Sequence, residues 1–253
     1  MVKGLLLDIG GVLTEDGSAL PQALEGMAAV RKTQLPLRFL TNTSRRTARQ
    51  VATELRSLGF ELADHELVTA PLAVKQYLRA HQLRPLILAT PELAEEFADL
   101  DSCQPNAVVV FDAGEGFTYA ALNEAFQCLH SGAQLLAVGA NRYFRSGGAL
   151  QLDAGPFVKA LEYAAACEAT IIGKPAAAFY HSVVSELGLS PAEVMMVGDD
   201  VDSDVVGALD AGLQACLSRT GKFCPGDEQR VPGLPCIDRL GELVAHLDDS
   251  LSP

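Results

Sequence analysis

No apolar run in this chain approaches the roughly 20 residues that a membrane-spanning helix needs. A secretory leader is not expected either, because Asp8 interrupts the only candidate apolar stretch near the N-terminus. A cytoplasmic location and no membrane partner are therefore expected. Basic residues are scarce: 19 Lys and Arg against 32 Asp and Glu give a formal net charge of −13. No basic run or aromatic-basic interleaving offsets that charge, so nucleic acid is not an expected partner. The six cysteines (Cys103, Cys128, Cys167, Cys216, Cys224, Cys236) contain no CxxC pair, and metal-site spacing is missing. In a reducing compartment they read as unpaired thiols, mostly buried. Repeats, low-complexity tracts and an EF-hand loop closed by a glutamate are also absent. His65, His81, His130, His181 and His246 stand isolated, with no metal or catalytic spacing.

What remains is a 253-residue chain with 49% apolar residues, enough for one large domain or for a core with an insertion. Strand-like and helix-like segments alternate: strand at 3–7, helix at 21–33, strand at 36–40, and helix at 45–58 ended by Gly59. The pattern resumes late, with strands at 170–172, 194–197 and 213–217 and helices at 176–187, 203–211 and 240–247. This is the βαβα signature of an α/β fold, a doubly wound, parallel, Rossmann-like core. The middle has its own alternation, with strands at 86–89, 108–111 and 135–139 and helices at 119–129 and 157–166. We read it as an inserted α/β cap domain, 71–173, within a catalytic core of 1–70 plus 174–253. Hinges are expected near Ala70-Pro71 and Gly173-Lys174. One continuous large sheet is the competing reading. It is disfavoured because the chemically suggestive segments flank the middle and hardly enter it.

Those segments are four. Leu5-Leu6-Leu7 runs into Asp8 and then Gly10-Gly11. Phe39-Leu40 ends in Thr41-Asn42. Ile171-Ile172-Gly173 precedes Lys174-Pro175. Met195-Met196-Val197-Gly198 opens into Asp199-Asp200, with Asp202 and Asp204 following. Each sets a polar group where an apolar strand stops, and in an open parallel sheet the strand C-termini line the ligand crevice. A carboxylate can attack phosphoryl groups. Hydroxyls and N–H groups before a helix can cradle phosphate. A lysine can neutralise phosphate oxygens. Four carboxylates in six residues need a cation or full solvation. Each segment also has a plain structural reading. Asp8 could end a loop, Ser44 could cap the following helix, and Lys174 could be a loop lysine. Arg45 and Arg46 read as solvated surface residues, and Asp200 or Asp202 as the acidic start of a helix.

Taken in order, the four segments resemble the four motifs of the haloacid-dehalogenase-like hydrolase superfamily, over nearly the whole chain. The size and place of the insertion resemble the subgroup with a large α/β cap. The segments beginning at Asp112, Leu122, Arg142, Gly155 and Arg219 narrow the resemblance to one branch of that subgroup. The resemblance implies a Mg²⁺-dependent phosphohydrolase working through an aspartyl-phosphate. By position, Asp8 would be nucleophile and metal ligand. The Gly10 carbonyl and Asp199 would complete the protein ligands. Thr41 and the Asn42 backbone would bind phosphate, Lys174 would bind phosphate and Asp8, and Asp204 would support the metal from behind. The implied substrate is inorganic pyrophosphate, an N-phosphorylated residue or a small phosphorylated metabolite. A catalytically weak phosphate- and Mg²⁺-binding module, or a phosphotransferase, would keep the same site. One departure stands out. The superfamily usually carries a second aspartate, the general acid and base, two residues after the nucleophile, and here that position is Gly10. Proton help would have to come from solvent, Glu15 or Asp16. Asn141, Arg142, Tyr143 and Arg145 are candidate specificity residues, and the apolar helix near 120–129 suggests a homodimer.

Overall fold

The computed structural model describes residues 1–139, 141–146 and 149–248. The chain divides into two compact units. The first comprises residues Met1–Thr41, Arg49–Val68 and Lys174–Pro253, and the second Asn42–Ala48 and Thr69–Gly173. Both are built on parallel sheets.

The six-stranded sheet of the first unit has the order Cys236–Ile237, Gln214–Ser218, Val194–Gly198, Gly4–Asp8, Leu37–Thr41, Leu67–Thr69. Gly4–Asp8 lies near its middle, parallel to both neighbours. Leu5, Leu6 and Leu7 are fully buried, as expected of a strand covered on both faces in a doubly wound sheet. Helices Ala23–Lys32, Ala48–Ser57 and Ala177–Glu186 turn buried apolar residues toward the core, such as Met27, Val51 and Phe179.

The second unit carries a four-stranded sheet of order Thr170–Ile171, Gln134–Ala137, Ala107–Val110, Pro85–Leu88, with all pairs parallel. Its core joins Val108, Val110, Leu135, Val158 and Leu161. Helix Tyr119–His130 turns Ala125 and Leu129 into that core, with Ala121, Leu122 and Phe126 packed against it, so its apolar residues are used within the unit. A hairpin pairs Tyr143–Ser146 with Ala149–Leu152.

Several expectations are corrected. The strand before Lys174 belongs to the second unit's sheet, where Thr170 and Ile171 pair with Leu136 and Ala137. At two residues it was too short for periodicity to assign it to a sheet. The helix expected from residue 45 starts at Ala48, so Ser44 does not cap it. Arg45 is exposed, as expected of a surface arginine, and it also carries a partner. It pairs with buried Asp112 (Nε–Oδ2 2.6 Å), and its guanidinium lies 5.0 Å from the Phe144 ring centre. The Ser44 carbonyl accepts the Asp112 N–H, and Glu96 accepts the Ala48 N–H, which ties this segment to the second unit. The helix expected at 203–211 is a π-helical turn, Val201–Val206, running into one α-turn, Gly207–Asp210. All six cysteines are free, but only Cys216 is buried, so the expectation of mostly buried thiols fails. Arg145's side chain lies outside the described residues.

Candidate active site

The register of the central sheet dictates the first contact. Leu7 is level with Val197, so Asp8 ends its strand level with Gly198, and Asp199 follows on the neighbouring strand. On the other side Asp8 is level with Leu40, and Thr41 follows. Adjacent strands lie about 4.8 Å apart, so three polar residues remote in sequence emerge at one sheet edge.

The turn after Asp199 adds the next group. Asp200 caps it, its side chain accepting the N–H groups of Asp202 and Ser203 at 3.1 Å each. This is the helix-start role expected of Asp200 or Asp202. The Asp200 carbonyl accepts the N–H of both Asp204 and Val205. Such π-type widening is common at functional positions. Asp204 is left only 1% exposed. One carboxylate oxygen from each of Asp8, Asp199 and Asp204 lies within 4.8 Å of the others.

Lys174 completes the cluster. Its Nζ donates to Asp8 Oδ1 at 2.5 Å and to Asp204 Oδ1 at 2.6 Å, and the residue is 4% exposed. Burial disfavours its charged form, yet the Asp204 and Asp8 carboxylates outweigh this and hold the ammonium above its ordinary range. Burial pushes the Asp8 carboxyl up, Lys174 opposes that, and the Asp204 and Asp199 charges add to it. Asp199 rises to about 6, chiefly through burial, with a bond from the Lys222 N–H working against the rise. Three buried carboxylates face one ammonium, a deficit of two positive charges when all are ionised. The oxygen donor set and that deficit fit Mg²⁺, a hard divalent cation.

A fifth segment belongs here that sequence reasoning did not single out as chemistry. The loop after strand Gln214–Ser218 closes on the cluster. Thr220 donates its hydroxyl to the Gly11 carbonyl, and the Lys222 N–H donates to Asp199 Oδ2 at 2.6 Å. Gly11 and Gly221 both have positive φ (81° and 57°), and a Cβ on either would overlap the Asp199 carboxylate. Here glycine serves both backbone conformation and close approach. The signal was present, because Thr220-Gly221-Lys222 follows an apolar strand as the other segments do.

Thr41 is buried at the end of its strand. Gly10 makes an isolated bridge to Thr14, and among the described residues a Cβ there would meet no atom within 4 Å. Glu15 and Asp16 are exposed on the hairpin pairing Thr14–Glu15 with Ser18–Ala19. Asn42 groups with the second unit, where its side chain lies against Gly173 and lines a small cavity with Ser44, Asn141 and Asp153.

Comparison with known proteins agrees with this geometry. The haloacid dehalogenase-like hydrolase model matches residues 5–103, and a second, HAD-hydrolase-like model matches residues 171–243. The chain belongs to the haloacid dehalogenase-like hydrolases. Within that family it stands among phosphatases. It is 39% identical over 261 residues to the phospholysine phosphohistidine inorganic pyrophosphate phosphatase of Rattus norvegicus, covering 98% of this chain and 96% of that protein. A 4-nitrophenylphosphatase from Thermotoga maritima superposes with a TM-score of 0.88 at 26% identity, over 96% of this chain and 97% of the other. A glycerol phosphate phosphatase from Mycobacterium tuberculosis, solved in complex with magnesium, gives a TM-score of 0.84 at 26% identity, over 96% of this chain and 76% of the other.

Proposed function

We propose that this chain is a Mg²⁺-dependent phosphatase in which Asp8 is transiently phosphorylated, and that pyrophosphate or an N-phosphorylated residue is its substrate. The observation that carries this reading is the buried meeting of Asp8, Asp199 and Asp204 with Lys174, three carboxylates to one cation. Catalysis is assigned to 1–70 and 174–253, and 71–173 is the inserted cap domain. Asp8, Asp199 and the Gly10 carbonyl would hold Mg²⁺, which would supply charge compensation for the transferring phosphoryl oxygens.

The remaining work falls to the chain's own groups. One Asp8 oxygen attacks phosphorus, and the bond to the leaving atom, oxygen in pyrophosphate or nitrogen in an N-phosphorylated residue, breaks with its electron pair. Water then cleaves the aspartyl-phosphate, which restores the carboxylate and releases phosphate. Lys174 holds Asp8 in line and offsets phosphoryl charge. Thr41 and the Asn42 N–H bind phosphoryl oxygens. Asp204 holds Lys174 and would support the bound ion.

Gly10 offers no proton to the leaving group. General acid–base help typically contributes 10²–10⁴-fold, so the enzyme should favour groups that depart without it, and phosphate leaving from pyrophosphate is one. The name of the rat relative includes inorganic pyrophosphate, which supports that substrate, whereas an N-phosphorylated residue would need its leaving nitrogen protonated from solvent, Glu15 or Asp16. The open space at Gly10 allows a direct test. Gly10→Asp is expected to raise kcat/KM on an alkyl phosphomonoester by about 10²-fold, the lower end of acid–base assistance, with a much smaller gain on pyrophosphate. An unchanged alkyl-ester rate would sink this account of the missing carboxylate.

The reading as a whole is tested by phosphate release from pyrophosphate and p-nitrophenyl phosphate. With Mg²⁺, turnover is expected on both, and excess chelator abolishes it. Full turnover in chelator would remove the metal from the mechanism. No turnover in either condition would favour the binding module, the reading to which Gly10 lends weight.

A further inference from the structure

We infer that Lys222 is a specificity-determining residue, its ammonium taking the second anionic group of a diphosphate substrate, the phosphate that leaves. This deepens the phosphatase reading above and rests on it. Three features fix the start of the Lys222 side chain at the edge of the carboxylate cluster. Its own N–H is bonded to Asp199, the preceding Thr220 is bonded to the Gly11 carbonyl, and Gly221 lies too close to Asp199 and to Gly11 Cα to admit a Cβ. From that fixed base the side chain runs into solvent, 65% exposed, and Nζ rests 3.0 Å from Asp200 Oδ2.

This contrasts with Lys174, which is 3% exposed at its side chain and bonded to two buried carboxylates. Lys174 is part of the wall. Lys222 is a movable point charge on a flexible four-carbon stem, suited to phosphate. Its present bond is cheap to exchange, because exposed ion pairs are weak. Asp200 does not depend on it either, since its other oxygen keeps the Asp202 and Ser203 N–H groups. A diphosphate brings several negative charges to a site already lined by Asp8, Asp199 and Asp204. The transferred phosphoryl group has Lys174 and the metal site for compensation. The departing phosphate needs another cation, and Lys222 is anchored beside Asp199 where it can supply one.

The experiment compares wild type, Lys222→Met and Lys222→Arg in Mg²⁺. The quantity read is the ratio of kcat/KM on pyrophosphate to that on p-nitrophenyl phosphate, whose leaving group carries no second phosphate. The ratio is expected to fall about 10- to 100-fold in Lys222→Met, the worth of a hydrogen bond to a charged group, and to recover largely in Lys222→Arg. A purely structural role would lower both substrates together and leave the ratio alone, and that outcome overturns the inference. A binding arm separates it from the phosphatase reading. Methylenediphosphonate and orthophosphate are titrated calorimetrically into Asp8→Asn protein, with and without Lys222→Met. Diphosphonate should bind about tenfold or more tighter than orthophosphate, and the preference should vanish with Lys222→Met. If wild type turns nothing over yet this preference holds, the phosphatase reading falls and the role of Lys222 stands. If diphosphonate shows no Lys222-dependent preference, the role of Lys222 falls whatever the turnover.

Discussion

Asp8→Asn is expected to lower kcat for phosphate release from pyrophosphate by at least about 10⁴-fold, the scale seen when a covalent nucleophile is removed. The reason is chemical rather than structural. An amide oxygen is a poor nucleophile, and no neighbouring group can take over, because Asp199 and Asp204 are held by other contacts. Asp199 accepts the Lys222 N–H, and Asp204 accepts from Lys174 and from the Asp200 N–H. The fold should survive. Burial and the neighbouring carboxylates already disfavour charge at Asp8, so a neutral isostere relieves repulsion while Lys174 keeps Asp204. Thermal unfolding of the variant should lie within about 3 °C of wild type, a change of about 1 kcal/mol or less for a chain of this size. A variant that keeps its fold and more than a tenth of its turnover would remove Asp8 from the mechanism.

Lys174→Met should damage both activity and stability. The amine is the cation that Asp8 and Asp204 share inside the core unit. Removing one partner of a buried ion pair costs about 3–5 kcal/mol, because the remaining charge is left uncompensated. Here two carboxylates are abandoned together. Urea unfolding in chelator should therefore show a loss of that size. Excess Mg²⁺ should return part of it, since a ligand of the native state stabilises by about 2.7 kcal/mol at 100 times its Kd. The double variant Asp8→Asn, Lys174→Met should lose less than the two single changes summed, because each removes the other's partner. A Lys174→Met protein as stable as wild type in chelator would mean that the ammonium is not needed to balance the cluster.

Much of this site could be read from residue order because its logic is one-dimensional. Leu5-Leu6-Leu7 before Asp8, and Met195-Met196-Val197 before Gly198-Asp199, are apolar runs long enough to mark buried strands. In parallel neighbours the ends of such strands meet. The sheet order that makes them neighbours is a tertiary fact, supplied at the sequence level only by resemblance. What could not be read has local causes. Thr170–Ile171 carries too little pattern to choose between two sheets. Helix Ala48–Ser57 starts later than expected, and the segment before it carries the Arg45–Asp112 pair, a contact across 67 positions that no window along the chain can see. The π-turn that buries Asp204 looks, in sequence, like an ordinary acidic helix start. The Thr220–Lys222 loop follows an apolar strand as the other segments do, but its place at the site is set by tertiary contacts, the Lys222 N–H to Asp199 and the Thr220 hydroxyl to the Gly11 carbonyl.

The central claim is that Asp8, seated beside Asp199 and Lys174, itself carries the phosphoryl group. The measurement that meets it most directly is acid quenching of the Mg²⁺-bound enzyme during turnover of pyrophosphate, followed by mass spectrometry of the peptide spanning Leu5–Val12. One phosphoryl group on Asp8, absent from Asp8→Asn and from enzyme quenched in chelator, is the predicted result. A phosphoryl group on any other residue, or steady turnover with no phosphorylated peptide under conditions that preserve acyl phosphates, would contradict it.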